Sequence, residues 1–405
     1  MKPRFLRGIR FADVTWAGAG PFCTKIFSDF GAEIIKIESS VRIDSVRIGG
    51  PFKDRKFGVN RSGYFASRNT GKKSVVLDLK SDEGKRLVFD IIRKADVVSN
   101  NFGPGAMDRM GLSYEAVRAV KPDIIYLSMP MYGEDGPRAN LLGVGMTISA
   151  VAGLMWSTAY RPGDPVGPGT HYPDHAANPY HAAFAILAAL RRRRLTGEGM
   201  RIDLSQVEST INFIGTAVTD VAIRGSDRPQ SGNASPAMAP HGVFRCAGDD
   251  EWCALAVASD AEWQAFVGAA GMPELCGDPR FATATGRVAA REELERRVAA
   301  WFAGQSADDA ARTLRTAGVP AARVADSRFL VEDDPQLAAR AYWQRVDHPE
   351  LGRSLYSSPP YRIDGERVEL GRPPLLGEHT REVLGGLLGL GGDEIDRLET
   401  AGVFR

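Results

Sequence analysis

Cysteine is scarce in this chain. The four present, Cys23, Cys246, Cys253 and Cys276, are widely scattered, with neither the density of a disulfide scaffold nor the paired spacing of a zinc site. That usage fits a reducing compartment, and the cytoplasm is expected. A surplus of one charge is also lacking. The 51 basic and 50 acidic residues leave a formal net charge of +1, so no general field draws the chain to nucleic acid or to an anionic membrane. Long hydrophobic runs are missing too. The longest alanine- and leucine-rich stretch, Ala182 to Leu190, is too short to cross a bilayer, and Met1 to Arg7 has no apolar segment behind its charges, so neither anchor nor signal peptide is expected. There is no internal repeat. What is present, 43% hydrophobic and 25% charged residues over 405 positions, suffices for a sizeable core and exceeds one ordinary core, which predicts two domains or one with an insertion.

The first forty residues read as a βαβ unit. Ile9 to Thr15 forms a strand, Gly18-Ala19-Gly20-Pro21 a turn, and Phe22, Ile26, Phe27 and Phe30 share a helix face closed by Gly31; Ile34 to Ile37 is the next strand. Strands at Val75–Leu79, Asp96–Ser99 and Ile124–Ser128 follow, with a helix capped by Ser81 between the first two. Such alternation implies a parallel sheet in an α/β fold. Pro173 suits the first position of a long helix that runs to the arginines 191–194, where four cations complement the helix dipole and stay solvated. Arg201–Leu204 is read as a strand and Gln206–Ala222 as a helix. Beyond a loop-like boundary at Arg224–Pro240 come a strand pair around Gly242–Val257, three helices, a Pro-rich tail and a helix at Thr380–Leu388.

Three features invite a chemical reading. Gly18-x-Gly20 after a strand, with Glu38 ending the next, resembles a dinucleotide turn, but Cys23 stands where the third glycine belongs, so a nicotinamide or flavin site is not favoured. His171, Asp174, His175 and His181 are potential metal ligands, yet Pro173 starts the helix and leaves His171 outside it, so the facing pair of a helical zinc motif is not assembled and no metal is expected. Asp174 lies in the first turn of that helix, where unpaired N–H groups and the dipole favour a negative charge, and is expected to stay ionised. An ionised carboxylate can attack a thioester carbonyl. Taken alone, Asp174 reads better as a plain helix-start residue.

Ordered motifs decide between these readings. Gly20-Pro21, Ile35-Lys36-Ile37-Glu38, Lys72 to Lys80, Asn101-Phe102-Gly103-Pro104-Gly105, Asp108-Arg109-Met110-Gly111, Thr196-Gly197-Glu198-Gly199, Gly318-Val319-Pro320-Ala321, Asp334-Pro335-Gln336-Leu337 and Pro374 to Thr380 together resemble the class III CoA-transferase family over essentially the whole length. The resemblance implies a Rossmann-like, doubly wound parallel sheet in a large domain built from both chain ends (1–224 and 331–405), a smaller α+β inserted domain (225–330), and an interlocked homodimer, or a heterodimer with a related subunit. It implies Asp174 as the nucleophile. It places CoA along Ala17, Gly18, Leu77, Lys80, Asn101, Phe102, Gly103, Arg109 and Met110, with acyl-CoA and a small carboxylic acid as substrates and no tightly bound cofactor. Cations suit phosphates, and Phe102 or Leu77 suits adenine packing.

Departures from the family narrow the substrate. Formyl-CoA:oxalate transferases resemble this chain but carry a glutamine where Gly18 stands, an arginine where Ser39 stands, and a glycine run near Ser231 to Gly242 that is lacking here, which disfavours oxalate. α-Methylacyl-CoA racemases of similar fold use a Gly-His-Asp segment; its match, Gly143-Val144-Gly145, has no base. Asn178-Pro179 and Met155-Trp156 look similar to members that process larger carboxylates, so an apolar pocket for an aryl or alkyl acid is expected. The expected reaction moves CoA from an acyl-CoA, such as succinyl-CoA, to a free acid through an aspartyl anhydride and an aspartyl-CoA thioester. A racemase, a CoA-binding subunit of a hetero-oligomer and a nicotinamide oxidoreductase are the alternatives.

Overall fold

A computed structural model describes residues 4–227 and 229–405. The chain forms two compact units, one of residues 1–157, 167–227 and 336–405, the other of residues 158–166 and 228–335.

The first unit is built on six parallel strands: β1 (Arg10–Asp13), β2 (Glu33–Glu38), β3 (Lys73–Val76), β4 (Val97–Asn100), β5 (Ile125–Ser128) and β6 (Met200–Asp203). Their order is β3-β2-β1-β4-β5-β6, so the chain reverses direction across the sheet between β1 and β4. Alternate side chains leave opposite faces, and both faces are covered, so β1 to β5 are buried on both sides along nearly their whole length. Phe11, Ile34, Val97 and Ile125 pack on helix α1 (Ala19–Asp29) and the long helix Asn178–Thr196. Ala12, Ile35, Val75 and Val98 pack on the other side. There the helix Asp82–Arg93 buries Leu87, Val88, Ile91 and Ile92, a single face at helical spacing, and Ser81 accepts a hydrogen bond from Gly84 N as its cap.

Between β2 and β3 lies a second short helix, α2 (Gly63–Arg68), capped by Ser62. The sequence reading passed over it, six residues being too few for periodicity to register. The tail also differs from expectation. Ahead of its Pro-rich stretch it forms an antiparallel hairpin, Trp343–His348 against Gly352–Ser357. The segment Gln206–Ala222, read as one helix, is two, Gln206–Ile211 and Gly215–Arg224, joined by a 3-10 turn.

The second unit holds a three-stranded antiparallel sheet, Trp252–Ala256 between His241–Arg245 and Ala321–Arg323, and a core around Trp263, Phe266, Phe281 and Phe302. Among the described residues no helix is long and apolar enough to cross a membrane.

Candidate active site

The carboxyl ends of β1 and β4 diverge at the point where strand order reverses, the position at which open α/β sheets present a crevice. A network of buried charge fixes the chain as it leaves β1. Asp13 accepts hydrogen bonds from Thr15 N (3.0 Å) and Oγ1 (2.6 Å), from Thr24 Oγ1 (2.8 Å) and from Ser99 Oγ (3.0 Å), and lies 3.4 Å from Lys72 Nζ. Burial pushes Lys72 down to about 8, against the pull of Asp13. Lys36 Nζ donates to Thr15 O (2.6 Å) and to Asp44 (3.2 Å), and Asp44 Oδ1 accepts from Ala17 N (3.0 Å). Ala17 is held at φ +61°, a left-handed conformation that a non-glycine residue adopts only when its surroundings demand it. Asn101 completes the clamp, accepting from Trp16 N and donating to Trp16 O, both at 2.8 Å.

This clamp aims the next residue at Asp174. A Cβ built at Gly18 would stand 2.5 Å from Asp174 Oδ2, and one at Gly145 would stand 2.8 Å from the same oxygen. The two glycines therefore sandwich the carboxylate, and any larger residue at either place would displace it. Asp174 itself lies in a π-helical turn, Pro173–Ala177, that leads into the long helix, instead of in the α-helical first turn expected from Pro173. The side chain is 7% exposed, and its oxygens accept no hydrogen bond from any described residue. The expectation that the helix start favours its charge is corrected accordingly. Desolvation pushes Asp174 up to about 6, and the nearby His171 and Arg68 only partly oppose it. It is still roughly nine-tenths ionised at pH 7, as an undersolvated and more basic carboxylate.

Arg68, at the end of α2, was not singled out from the sequence. Its guanidinium stands 5.0 Å from the ring centre of Phe22 and 5.1 Å from that of Tyr64, with Nη2 2.5 Å from His175 Nδ1. Burial, and secondarily Arg68, push His175 down to about 4, so it is neutral and accepts from the guanidinium. His181 instead approaches Ser209 Oγ at 2.7 Å. Among the described residues no three His, Cys, Asp or Glu side chains gather as a metal-ligand set.

A groove of about 920 Å³ opens beside this centre, lined by Trp16, Leu77, Lys80, Phe102, Arg109 and Met110 among others. Five of the nine residues expected to hold CoA thus meet in one place. Ala17 and Gly18 form the link from the groove wall at Trp16 to Asp174. Asn101 lies behind that wall with its amide engaged by Trp16, and Gly103 faces a separate polar pocket of about 280 Å³. The groove contains cations that the sequence reading overlooked: Arg42, Lys85 and Arg405. Ser39, read as the loss of an arginine, accepts from Val41 N and Arg42 N and so builds the turn that carries Arg42 to the groove. Glu38 is not free to hold a ribose. Arg47 makes two 2.8 Å bonds to its carboxylate, Ser74 Oγ a third at 2.6 Å, and despite burial Arg47 keeps it below the usual carboxylate range. Cys23 is fully buried, its thiol pushed up by burial, and is packing. The site is therefore a cationic, partly apolar groove suited to a phosphorylated nucleotide, beside one buried carboxylate.

Comparison with known proteins accords with this geometry. The model of CoA-transferase family III matches residues 6–380. The formyl-CoA:oxalate CoA-transferase of Streptomyces coelicolor is 30% identical over all of both chains. The succinyl-CoA–D-citramalate CoA-transferase of Chloroflexus aurantiacus is 30% identical over 99% of this chain and 98% of its own. The crystal structure of a CaiB/BaiF family protein from Brucella suis superposes with a TM-score of 0.88 at 29% identity, covering 95% of this chain and 100% of that one.

Proposed function

The chain belongs to CoA-transferase family III, a transferase of CoA between acids, and from that premise we propose that its turnover runs through covalent intermediates at Asp174. A carboxylate oxygen of Asp174 attacks the thioester carbonyl of the donor acyl-CoA. The C–S bond breaks, leaving a mixed anhydride and a CoA thiolate; the thiolate attacks the aspartyl carbonyl, releasing the donor as its free acid and leaving aspartyl-CoA. An incoming carboxylate reverses the sequence and departs as the new acyl-CoA. The observation that carries this reading is the state of Asp174: buried, without a hydrogen-bond donor, pinned between two glycines, and joined by Trp16-Ala17-Gly18 to the cationic groove.

In this reading the nucleotide lies along Leu77, Lys80, Phe102, Arg109 and Met110, with Arg42, Lys85 and Arg405 available to its phosphates, and the pantetheine arm passes Trp16 toward Asp174. Transfer between thioesters is close to thermoneutral, so the site has only to keep water from the anhydride, and the low exposure of Asp174 supports that. Acyl-CoA is the substrate and no resident cofactor is called on. Phe184, Leu187 and Leu195 stand exposed along the long helix, which supports pairing with a second copy of the chain.

The racemase reading is not favoured. Gly145, in the segment matching the racemase histidine, lies directly against Asp174 and provides no proton shuttle. In an assay of CoA exchange between acyl-CoAs and free acids, the protein is expected to show ping-pong kinetics, and Asp174→Asn to lose at least about 10³-fold in kcat/KM. Transfer retained near the original rate in that variant would refute the assignment.

A further inference from the structure

Arg68 is a largely buried cation without an anion. Elsewhere in the same unit the buried bases are paired: Arg47 with Glu38 at 2.8 Å, Lys36 with Asp44 at 3.2 Å, Lys72 with Asp13 at 3.4 Å, and Lys25 with Asp29. Among the described residues no carboxylate comes within the 4.0 Å of an ion pair to Arg68. Its Nε is sealed from solvent and has no partner, and the side chains it does engage, Tyr64 and His175, carry no charge. The charged and titratable groups facing it are Tyr64 on its own helix, His175 and Asp174 on the π turn, and Tyr180 on the long helix. Of these only Asp174 is an anion at neutral pH, and that charge vanishes once Asp174 is acylated. An unpaired guanidinium in such a place is costly unless something from outside completes it. Two further sealed, unpartnered atoms lie close by in the chain, His171 Nδ1 and Asn178 Oδ1.

We propose that Arg68 binds the second, non-reacting carboxylate of a dicarboxylic substrate while the other carboxyl carbon reacts at Asp174. The proposal rests on the reading of Asp174 as nucleophile. The reacting carboxyl is uncharged in the thioester and in the anhydride, so only a second carboxylate can neutralise Arg68 through both half-reactions. Arg68 also stands at the right range. It bonds His175, the residue next to Asp174, and its charge and that of Asp174 act on one another, so one short diacid could engage both. A planar guanidinium with its Nε–H unused matches a carboxylate better than an ammonium would.

The test is the first half-reaction, which needs one substrate. The wild-type protein is mixed with succinyl-CoA or glutaryl-CoA, and separately with butyryl-CoA or valeryl-CoA, and the rate of label appearing on the Asp174 peptide is followed. Diacid thioesters are expected to load at least about 30-fold more efficiently than monoacid ones of equal length. Arg68→Met is expected to bring that ratio near one by losing the diacid rate alone, with Arg68→Lys intermediate. Equal loading by the wild type, or parallel loss of both classes in Arg68→Met and Arg68→Lys, overturns the proposal; the wild-type ratio decides even if a variant folds poorly. If no thioester labels Asp174, the nucleophile reading falls first, and that result is distinct from labelling without diacid preference.

Discussion

Moving a carboxylate out of water raises the cost of its charge, and in Asp174 nothing in the protein fully offsets that cost. The rise from 3.8 to about 6 means that the ionised group is destabilising by about 3 kcal/mol at neutral pH, since the folded state holds its proton more tightly than the unfolded state. The sign follows: between about pH 4 and 6 stability falls as pH rises, the opposite of a salt-bridged aspartate. Asp174→Asn is therefore expected to be the more stable protein at pH 7 by up to about 3 kcal/mol, and to lose that advantage below pH 4, as read by denaturant titration at both values. Wild-type transfer is expected to rise through an acidic limb near pH 6. Equal stability at both pH values, or a flat limb, would contradict this electrostatic account. The place of Asp174 in a turn at the start of the long helix was legible because Pro173 marks it. Its proton affinity was not, because desolvation is set by Gly18 and Gly145, which only the fold brings to it. Arg68 was missed for the same reason, its partner His175 being remote in sequence.

The βαβ unit around β1 and α1 shows how an element delivers a residue. Its strands and helix were legible because apolar periodicity and the closing Gly31, at φ +97°, are local signals. The clamp of Asp13, Lys36, Asp44 and Asn101 was not, since each side chain reads as surface charge until strand pairing buries it. Gly18→Ala tests what the clamp is for. The backbone at Gly18, φ −98°, accepts alanine, yet the added Cβ would drive Asp174 aside. The expected result is a fall of about 100-fold or more in kcat with little change in Tm, because small misplacements of reacting atoms are costly. Wild-type turnover in Gly18→Ala would show that this contact does not position the carboxylate. The π turn at Pro173–Ala177 had no sequence signal of its own; proline marks where a helix begins without fixing its winding.

Over the whole molecule, the C-terminal segment packs on the sheet that the N-terminal residues begin, without adding a strand to it. The C-terminal motif Pro374 to Thr380 lies along β3, where His379 N donates to Ser74 O (2.9 Å), Thr380 Oγ1 accepts from Val76 N (3.1 Å) and Gly377 N donates to Ser74 Oγ (2.9 Å). That covers a strand edge otherwise open to other chains. Val403 O accepts from Asp78 N (2.8 Å), and Arg405 reaches both Asp78 (3.0 Å) and the groove, so these residues help to form the groove wall. The parallel sheet was legible from alternating elements; its strand order, and so the crevice between β1 and β4, came only with the fold. The groove, the clamp and the buried carboxylate together support the proposal that CoA is passed through the protein itself. Incubating the protein with short-chain acyl-CoAs and no acceptor acid, then digesting and weighing the peptides, tests this directly. The account predicts CoA mass on the peptide containing Asp174, released by hydroxylamine; no adduct with any acyl-CoA, or an adduct on another residue, would contradict it.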